Sequence, residues 1–358
     1  MKKIAAIVCI AAAAMLGACD KSKTGTPTPT PGGETPTGEG LYAPGARIAT
    51  ISHSDGSANE VWHWDGDRLL SVTMEGGDYE GGDIIFAYRD DGRVGSVSTE
   101  LLGESAEIGF SYGSADGLVH AASVAMQGTE MAQAAVQHGN GGHVTHVDVT
   151  LSDEMLQWIT ELLAGGLMDD LGGYGDDEEP TYEVARPASK LEYTSHEMKA
   201  DIGWNGNNAT RMVTNIKLAF SVRPSELPEE MLEAMLGGMG EMAQVILRFL
   251  GDTPVPVELA VCDTTDYTYD SKRNPLQGYM GRVDVAALSA NNIVGSVEHG
   301  TMTFTATLQA GSFGSYPYSR SMPLPGDETS LSYTYNEAGY PLTATDADGN
   351  TTTYTYNE

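Results

Sequence analysis

One pattern recurs four times between Trp62 and Val147 and limits what this chain can become: an aromatic or apolar run, a polar turn ending on glycine, and a branched apolar residue soon after. Trp62, His63, Trp64 and Asp65 lead to Gly66, and Ile84, Ile85, Phe86, Ala87 and Tyr88 lead through Arg89, Asp90 and Asp91 to Gly92. Tyr112 leads through Asp116 to Gly117, and His138, Gly139 and Asn140 lead to Gly141. The four glycines are 26, 25 and 24 residues apart. The downstream halves also match, as Arg68, Leu69 and Val72, then Arg93, Val94 and Val97, then His143, Val144 and Val147. A regular period of strand-like halves marks stacked supersecondary units. Asp-Gly and Asn-Gly supply the backbone twist of a tight hairpin. A lone hairpin is marginal in water, so the units are expected to pair edge to edge into one larger sheet.

The N-terminus reads differently. Lys2 and Lys3 precede an apolar run from Ile4 to Leu16, well short of the roughly 20 residues a spanning helix needs. The run fits a secretory leader. Leu16, Gly17, Ala18 and Cys19 resemble the lipobox of bacterial lipoproteins, which implies residues 1–18 as the signal peptide and Cys19 as the lipidated first residue of the mature chain. Residues 19–44 are rich in Thr, Pro, Gly, Ser and Glu and read as an extended tether that cannot bury apolar surface. Of three cysteines Cys9 goes with the leader and Cys19 is acylated, which leaves Cys262 without an intramolecular partner; it is expected as a small buried strand residue. The formal charge is −31, and loss of Lys2 and Lys3 with the leader takes it to −33. Such a body is a poor nucleic-acid binder and is repelled by anionic lipid, so attachment to a membrane falls to the acyl group.

Residues 45–358 are expected as a single β-rich domain with two helical insertions. Ser152, Asp153 and Glu154 cap a run of Met155, Leu156, Ile159, Leu162, Leu163 and Leu167, giving a helix over about 152–172. A second over about 225–251 opens with Glu226, Glu229 and Glu230 and carries Met231, Leu232, Met235, Met239, Met242, Ile246 and Phe249. Its methionines suit packing on the sheet, or a greasy groove for a lipid or peptide. The acidic run between them, Asp169 to Glu179, reads as a solvated loop. Trp204 to Asn208 read as another turn, and Val255, Val257, Leu259 and Val261 alternate as a strand does.

Tyr267, Thr268, Tyr269, Asp270, Ser271, Lys272, Arg273, Asn274 and Pro275, followed by Asn291 and Asn292, resemble a motif of a Bacteroidetes lipoprotein family of unknown function whose β domain is described as porin-like. Leu331, Tyr333, Tyr335, Asn336, Gly339, Tyr340, Leu342, Asp348, Gly349, Asn350, Tyr354 and Tyr356 resemble the YD repeats of RHS-type proteins. The resemblance spans roughly residues 45 to 358 and implies a long antiparallel sheet that curls on itself, as a superroll or an open or closed barrel, outside the bilayer. The strands lack the outward apolar band and aromatic girdles of a membrane barrel.

Motifs that suggest chemistry lack their contexts. Gly109, Phe110, Ser111, Tyr112 and Gly113 match a nucleophile elbow, which needs a strand running into a helix; here Phe110 to Tyr112 aligns with the hairpin arm Phe86 to Tyr88. Gly238, Met239, Gly240, Glu241, Met242 and Ala243 sit inside a helical pattern, where no free N–H groups meet a phosphate. His143 and His146, three apart on a strand, face opposite ways, so with His138 they make a poor metal site. Asp346 to Asn350 fit a hairpin turn better than a calcium loop. No cofactor, metal or catalytic set is expected.

The expectation is therefore a non-enzymatic envelope lipoprotein, anchored to the outer membrane through its lipidated N-terminus, that binds or scaffolds. Trp62, Trp64, Tyr88 and Tyr112 are candidate contacts for a hydrophobic or glycan ligand in the concavity of the sheet, or cross-strand packing pairs. The alternatives are a structural partner of an outer-membrane complex and a hydrolase whose acidic pair the sequence leaves unassigned.

Overall fold

The computed structural model describes residues 40–43, 45–77, 82–101, 104–157, 192–223, 253–281, 285–309 and 315–357. They form one antiparallel sheet of 18 strands with little helix. After β1 (Ile48–His53) come eight short strands: β2 (Asn59–Asp65), β3 (Arg68–Glu75), β4 (Ile84–Tyr88), β5 (Val94–Leu101), β6 (Glu104–Tyr112), β7 (Val119–Met126), β8 (Thr129–His138) and β9 (Val144–Leu151). Four long strands follow: β10 (Glu192–Asn205), β11 (Asn208–Val222), β12 (Val255–Arg273) and β13 (Asn291–Gln309). The chain ends in β14 (Ser315–Leu324), β15 (Glu328–Ser330), β16 (Ser332–Tyr335), β17 (Pro341–Thr345) and β18 (Thr351–Tyr356).

Pairing follows chain order from β1 to β13, and β1 also pairs with β18, so the two ends of the described chain are neighbours. β14 and β15 lie along different stretches of β13, while β16, β17 and β18 form a meander that leads back to β1. The sheet curls but is not closed into a barrel. Its loose ends, β15 and β16, are consecutive pieces of chain separated by Leu331, whose N–H donates to the Val294 carbonyl at 2.9 Å. β14 carries Pro317 and Pro323, which lack the N–H groups that a further strand on its edge would need.

The repeat deduced from the glycines is a hairpin each time. Gly66, Gly92, Gly117 and Gly141 have φ of 58°, 84°, 70° and 82°, which a side chain would strain. Every hairpin also carries the same β-bulge, which the sequence pattern does not announce. Trp64 faces Leu69 but His63 faces Ser71; Tyr88 faces Val94 but Ala87 faces Ser96; Tyr112 faces Val119 but Ser111 faces Ala121; His138 faces Val144 but Gln137 faces His146. The same slip occurs at Trp204 opposite Ala209, Tyr269 opposite Ile293, Tyr335 opposite Pro341 and Tyr356 opposite Ile48. An extra residue on one strand sharpens the local twist, and repeating it at one level curls the whole sheet.

Alternation puts the core on the inner face. Leu69, Val72, Val94, Val97, Val119, Val144 and Val147 are buried there, each at the downstream half of a repeat. The outer face is polar, with cross-strand hydroxyl pairs such as Thr50 with Thr355 and Thr334 with Thr343, each at 2.6 Å.

One end of the curl is filled by the connection from β12 to β13, which turns inward instead of making a tight turn. Asn274, Tyr279, Met280 and the short helix Val285–Leu288 are buried in it. Of the expected insertions, residues 153–157 are helical, and the Ser152 hydroxyl accepts from the Met155 N–H at 3.1 Å as an N-cap. The remainder of 152–172, all of 225–251, the leader and Cys19 lie outside the described residues. The expectation for Cys262 needs correction: it is on β12 but faces outward and is exposed, because it falls between the inward positions Val261 and Asp263.

Candidate functional site

The bulges place a second repeated feature, a ring of donors near the filled end. At six of the eight bulges the aromatic side chain reaches back to the carbonyl at the bulge of the hairpin before it. The Trp64 indole N–H donates to Ile48 O at 2.8 Å, Tyr88 OH to Leu69 O at 2.8 Å, Tyr112 OH to Val94 O at 2.7 Å and Trp204 N–H to Val144 O at 2.7 Å. Tyr269 OH donates to Ala209 O and Tyr356 OH to Pro341 O at 2.7 Å, while on β16 it is Tyr333, two residues before the bulge at Tyr335, whose OH donates to Ile293 O at 2.8 Å. Each such bond contributes about 1 kcal/mol net and ties a hairpin to its predecessor. Cations cover the rings: Arg68 lies 5.4 Å over Tyr88, and Arg89 and Arg93 lie 5.4 and 5.2 Å over Tyr112. Two bulges depart from the series: Tyr335 donates to the Asp270 carboxylate instead of a carbonyl, and His138 makes no such bond. His138 takes the aromatic place on β8, and both its ring nitrogens are shielded without a hydrogen-bond partner.

The Asp270 to Pro275 stretch and the Asn pair build the mooring of the plug. Asp270 accepts from the Lys272 N–H at 2.9 Å, the Asn292 N–H at 3.1 Å, the Asn292 side-chain amide and the Tyr335 hydroxyl. Burial, followed by the Asp270 carboxylate, holds the Tyr335 hydroxyl protonated far above its ordinary pKa. Asn274 donates to Ala286 O and Ser289 O at 2.6 and 2.8 Å, and Asn291 donates to Lys272 O at 2.7 Å. Asn208 and Asn291 bond each other twice, at 2.9 and 3.1 Å.

These networks decide where the candidate ligand contacts stand. Trp62 is 4% exposed, with its ring centroid 4.7 Å from Tyr279 of the plug and its indole N–H on Glu60 at 3.1 Å. Trp64 stacks on Trp62 at 6.4 Å, and Tyr112 OH also lies 3.9 Å from Met280 Sδ. Trp64, Tyr88 and Tyr112 are thus gathered into the ring and Trp62 into the plug contact, with their faces taken by packing or cations.

The long strands carry a different surface. Along their inner face run the rows Phe220, Val257, Ala306; Leu218, Leu259, Phe304; and Ile216, Val261, Met302. Leu259, Val261, Met302 and Phe304 are only half-buried. Next in the same alternation come Thr214, Asp263, Gly300 and then Met212, Thr265, Glu298, so two carboxyl groups stand above the apolar rows. Asp263 Oδ1 is shielded without a hydrogen-bond partner. Burial raises the Asp263 pKa against the Thr264 N–H and His299, which lower it. Burial also raises that of Glu298, helped by the charges of Asp263 and Asp327. The alternation of Val255, Val257, Leu259 and Val261 extends directly to Asp263 and Thr265, which is the signal in the sequence that places Asp263 on the inner face.

Ser111 is exposed on β6 beside the bulge in its ladder with β7, not at a strand-to-helix turn. His138, His143 and His146 do not converge. His143 stacks on Trp204 at 4.2 Å, and His146 sits outside between Asp201 at 2.6 Å and Asp148 at 3.0 Å. Among the described residues no group of three His, Cys, Asp or Glu side chains is placed to hold a metal ion. Asp346 accepts from the Asp348 and Asn350 N–H groups at 2.9 and 2.8 Å and caps the β17–β18 turn. Residues 238–243 lie outside the described residues. Compared with family models and with curated proteins, the chain matches none.

Proposed function

We propose that this protein is a lipid-anchored component of a bacterial outer membrane, of the Bacteroidetes lipoprotein family that its motifs resemble, and that it binds a hydrophobic ligand on the inner face of β11, β12 and β13. Cys19 carries the acyl anchor in this reading, and residues 19–44 give the β domain reach from the membrane. The observation that carries the binding site is the half-buried apolar face of Leu259, Val261, Met302 and Phe304, beside a short-strand half whose inward valines are fully covered. A hydrophobic guest is favoured over a glycan because the aromatic faces a sugar would stack on are engaged by the ring and the plug. Native mass spectrometry of the full lipidated protein, purified from envelope fractions, tests it. The expected result is a co-purifying lipid-sized mass that is lost in Phe304→Asp and kept in Tyr88→Phe. A protein that stays empty after exposure to envelope lipid extract sinks the reading.

A second reading rests on Asp263 and Glu298. They are diagonal neighbours, a relation that spaces residues about 7 to 8 Å apart, and carboxyl separations of about 5 to 9.5 Å serve glycoside hydrolysis. Turnover of envelope glycans that disappears in both Asp263→Asn and Glu298→Gln supports it. No turnover by the wild type removes it.

A further inference from the structure

We propose that His138 is an acid-sensitive latch, and that mild acid opens the filled end of the sheet between the β6–β7 and β8–β9 hairpins. The proposal grows from the ring of donors. At six other bulges a Trp or Tyr side chain bonds the carbonyl of the preceding hairpin, on β16 Tyr333 beside the bulge does so, and a hydroxyl or indole N–H keeps that bond over the whole physiological pH range. At His138 the corresponding bond to Val119 is not made, so the β8–β9 hairpin is held to its predecessor by the ladder and by packing alone.

The surroundings oppose a charge on this imidazole. From the β6–β7 hairpin it meets His120, with ring centroids 5.5 Å apart, and Asp116. Both Asp116 oxygens are engaged, Oδ1 by the Leu118 N–H at 3.0 Å and Oδ2 by His120 Nε2 at 2.8 Å. The Arg93 guanidinium lies against Gly117 in the same turn. On the other side, His143 is turned away to stack on Trp204. A protonated His138 therefore carries N–H donors on both ring nitrogens, one more than the neutral ring, and finds no carboxylate that is not already in use. Burial first, then His120, hold its pKa below the ordinary value, with Asp116 opposing.

The sign follows. A histidine kept neutral in the closed form and free to take a proton in the open form favours opening as pH falls below the ordinary value of about 6.5. Between pH 7.5 and 5.5 the local opening constant should rise by up to about tenfold. The β2–β3 and β4–β5 tips, pinned by Tyr88 and Tyr112, serve as internal controls.

Amide hydrogen exchange on the full chain at pH 7.5 and 5.5, corrected for intrinsic rates, tests this. The expected result is a rise of up to about tenfold in opening at 113–120 and 137–144, with 64–69 and 88–94 unchanged. His138→Phe should abolish the acid response, and His138→Tyr should lower opening at both pH values by restoring the missing donor. An equal response at all four tips, or a response that survives in His138→Phe, overturns the latch. If the variants fold poorly, titration of the wild-type His138 ring by NMR decides: a midpoint below the ordinary range supports the latch, and an ordinary midpoint overturns it.

Discussion

The short strands β2 to β9 and the long strands β10 to β13 belong to one sheet but are built to different rules. The short half runs in strands of 5 to 10 residues, each hairpin repeating the same bulge and most of them the same aromatic donor, around an inner face closed by the plug. The long half reaches 19 residues in β12 and in β13, keeps the bulge at the plugged end, and extends beyond it into half-buried apolar rows topped by two carboxyl groups. Repetition accounts for the part that holds itself together. Departure from the repeat marks the part with chemistry to spare, because side chains there are not consumed by neighbouring units. The halves meet at a ladder of four pairs, Met198 to Asp201 on β10 with Val149 to His146 on β9.

Three substitutions would sharpen or break that contrast. The largest effect is expected at Tyr279, which is 1% exposed and touches Trp62 and Phe86 at 4.7 and 5.9 Å. Tyr279→Ala should cost about 3 to 5 kcal/mol, as loss of a buried aromatic ring does, read as a fall in the urea midpoint. If the short half depends on the plug, exchange protection should fall in β2 to β5 more than in the outer reaches of β12 and β13. A uniform loss would erase the distinction.

A smaller effect of opposite sign is expected at Asp263. Its folded pKa is raised, so the carboxyl weakens folding as pH climbs from about 3.8 through the raised value, and the penalty stands in full above it. Asp263→Asn should therefore stabilise the protein at pH 7, by no more than about 1 kcal/mol because solvent screens a partly exposed group, and do nothing at pH 3, measured by paired denaturation curves. Stabilisation at pH 3 as well would mean that the shielded oxygen, not the charge, is the liability.

The smallest concerns the junction. His146 is held charged by Asp201 first and by Asp148, which raise its pKa against partial burial. Its contribution is present below about pH 6.5 and is lost as pH rises through the raised value. Both partners are half exposed, so His146→Gln should cost no more than about 0.5 kcal/mol at pH 5.5 and nothing at pH 9. The same hairpin would then respond to acid in two directions, tightening towards β10 and loosening towards β7 at His138.

The hairpin count in the repeat region was readable because the turn chemistry is local: Asp-Gly and Asn-Gly set a tight turn whatever surrounds them. The helix cap at Ser152 was readable for the same reason. The bulge was not, since it is a relation between two strands, and nothing in Gly95 or His120 alone says that it will be the extra residue. Cys262 departs from the expectation of burial because a strand residue's burial depends on which of two faces turns inward, and that parity is set by the register with β11 and β13.

What the sequence by itself determined is the all-β character and the hairpin period, both carried by residues close together in the chain. Only the tertiary structure decided that Trp64, Tyr88, Tyr112, Trp204 and Tyr356 are links of one ring, that residues 274–281 and 285–290 fill its end, and that His138 is its gap. It also placed Asp263 beside Glu298. The physical reason is range. A turn is chosen by the dihedral preferences of two or three residues, whereas a donor finds its acceptor 15 to 60 residues away only after the sheet has curled and set which carbonyls its bulges leave free.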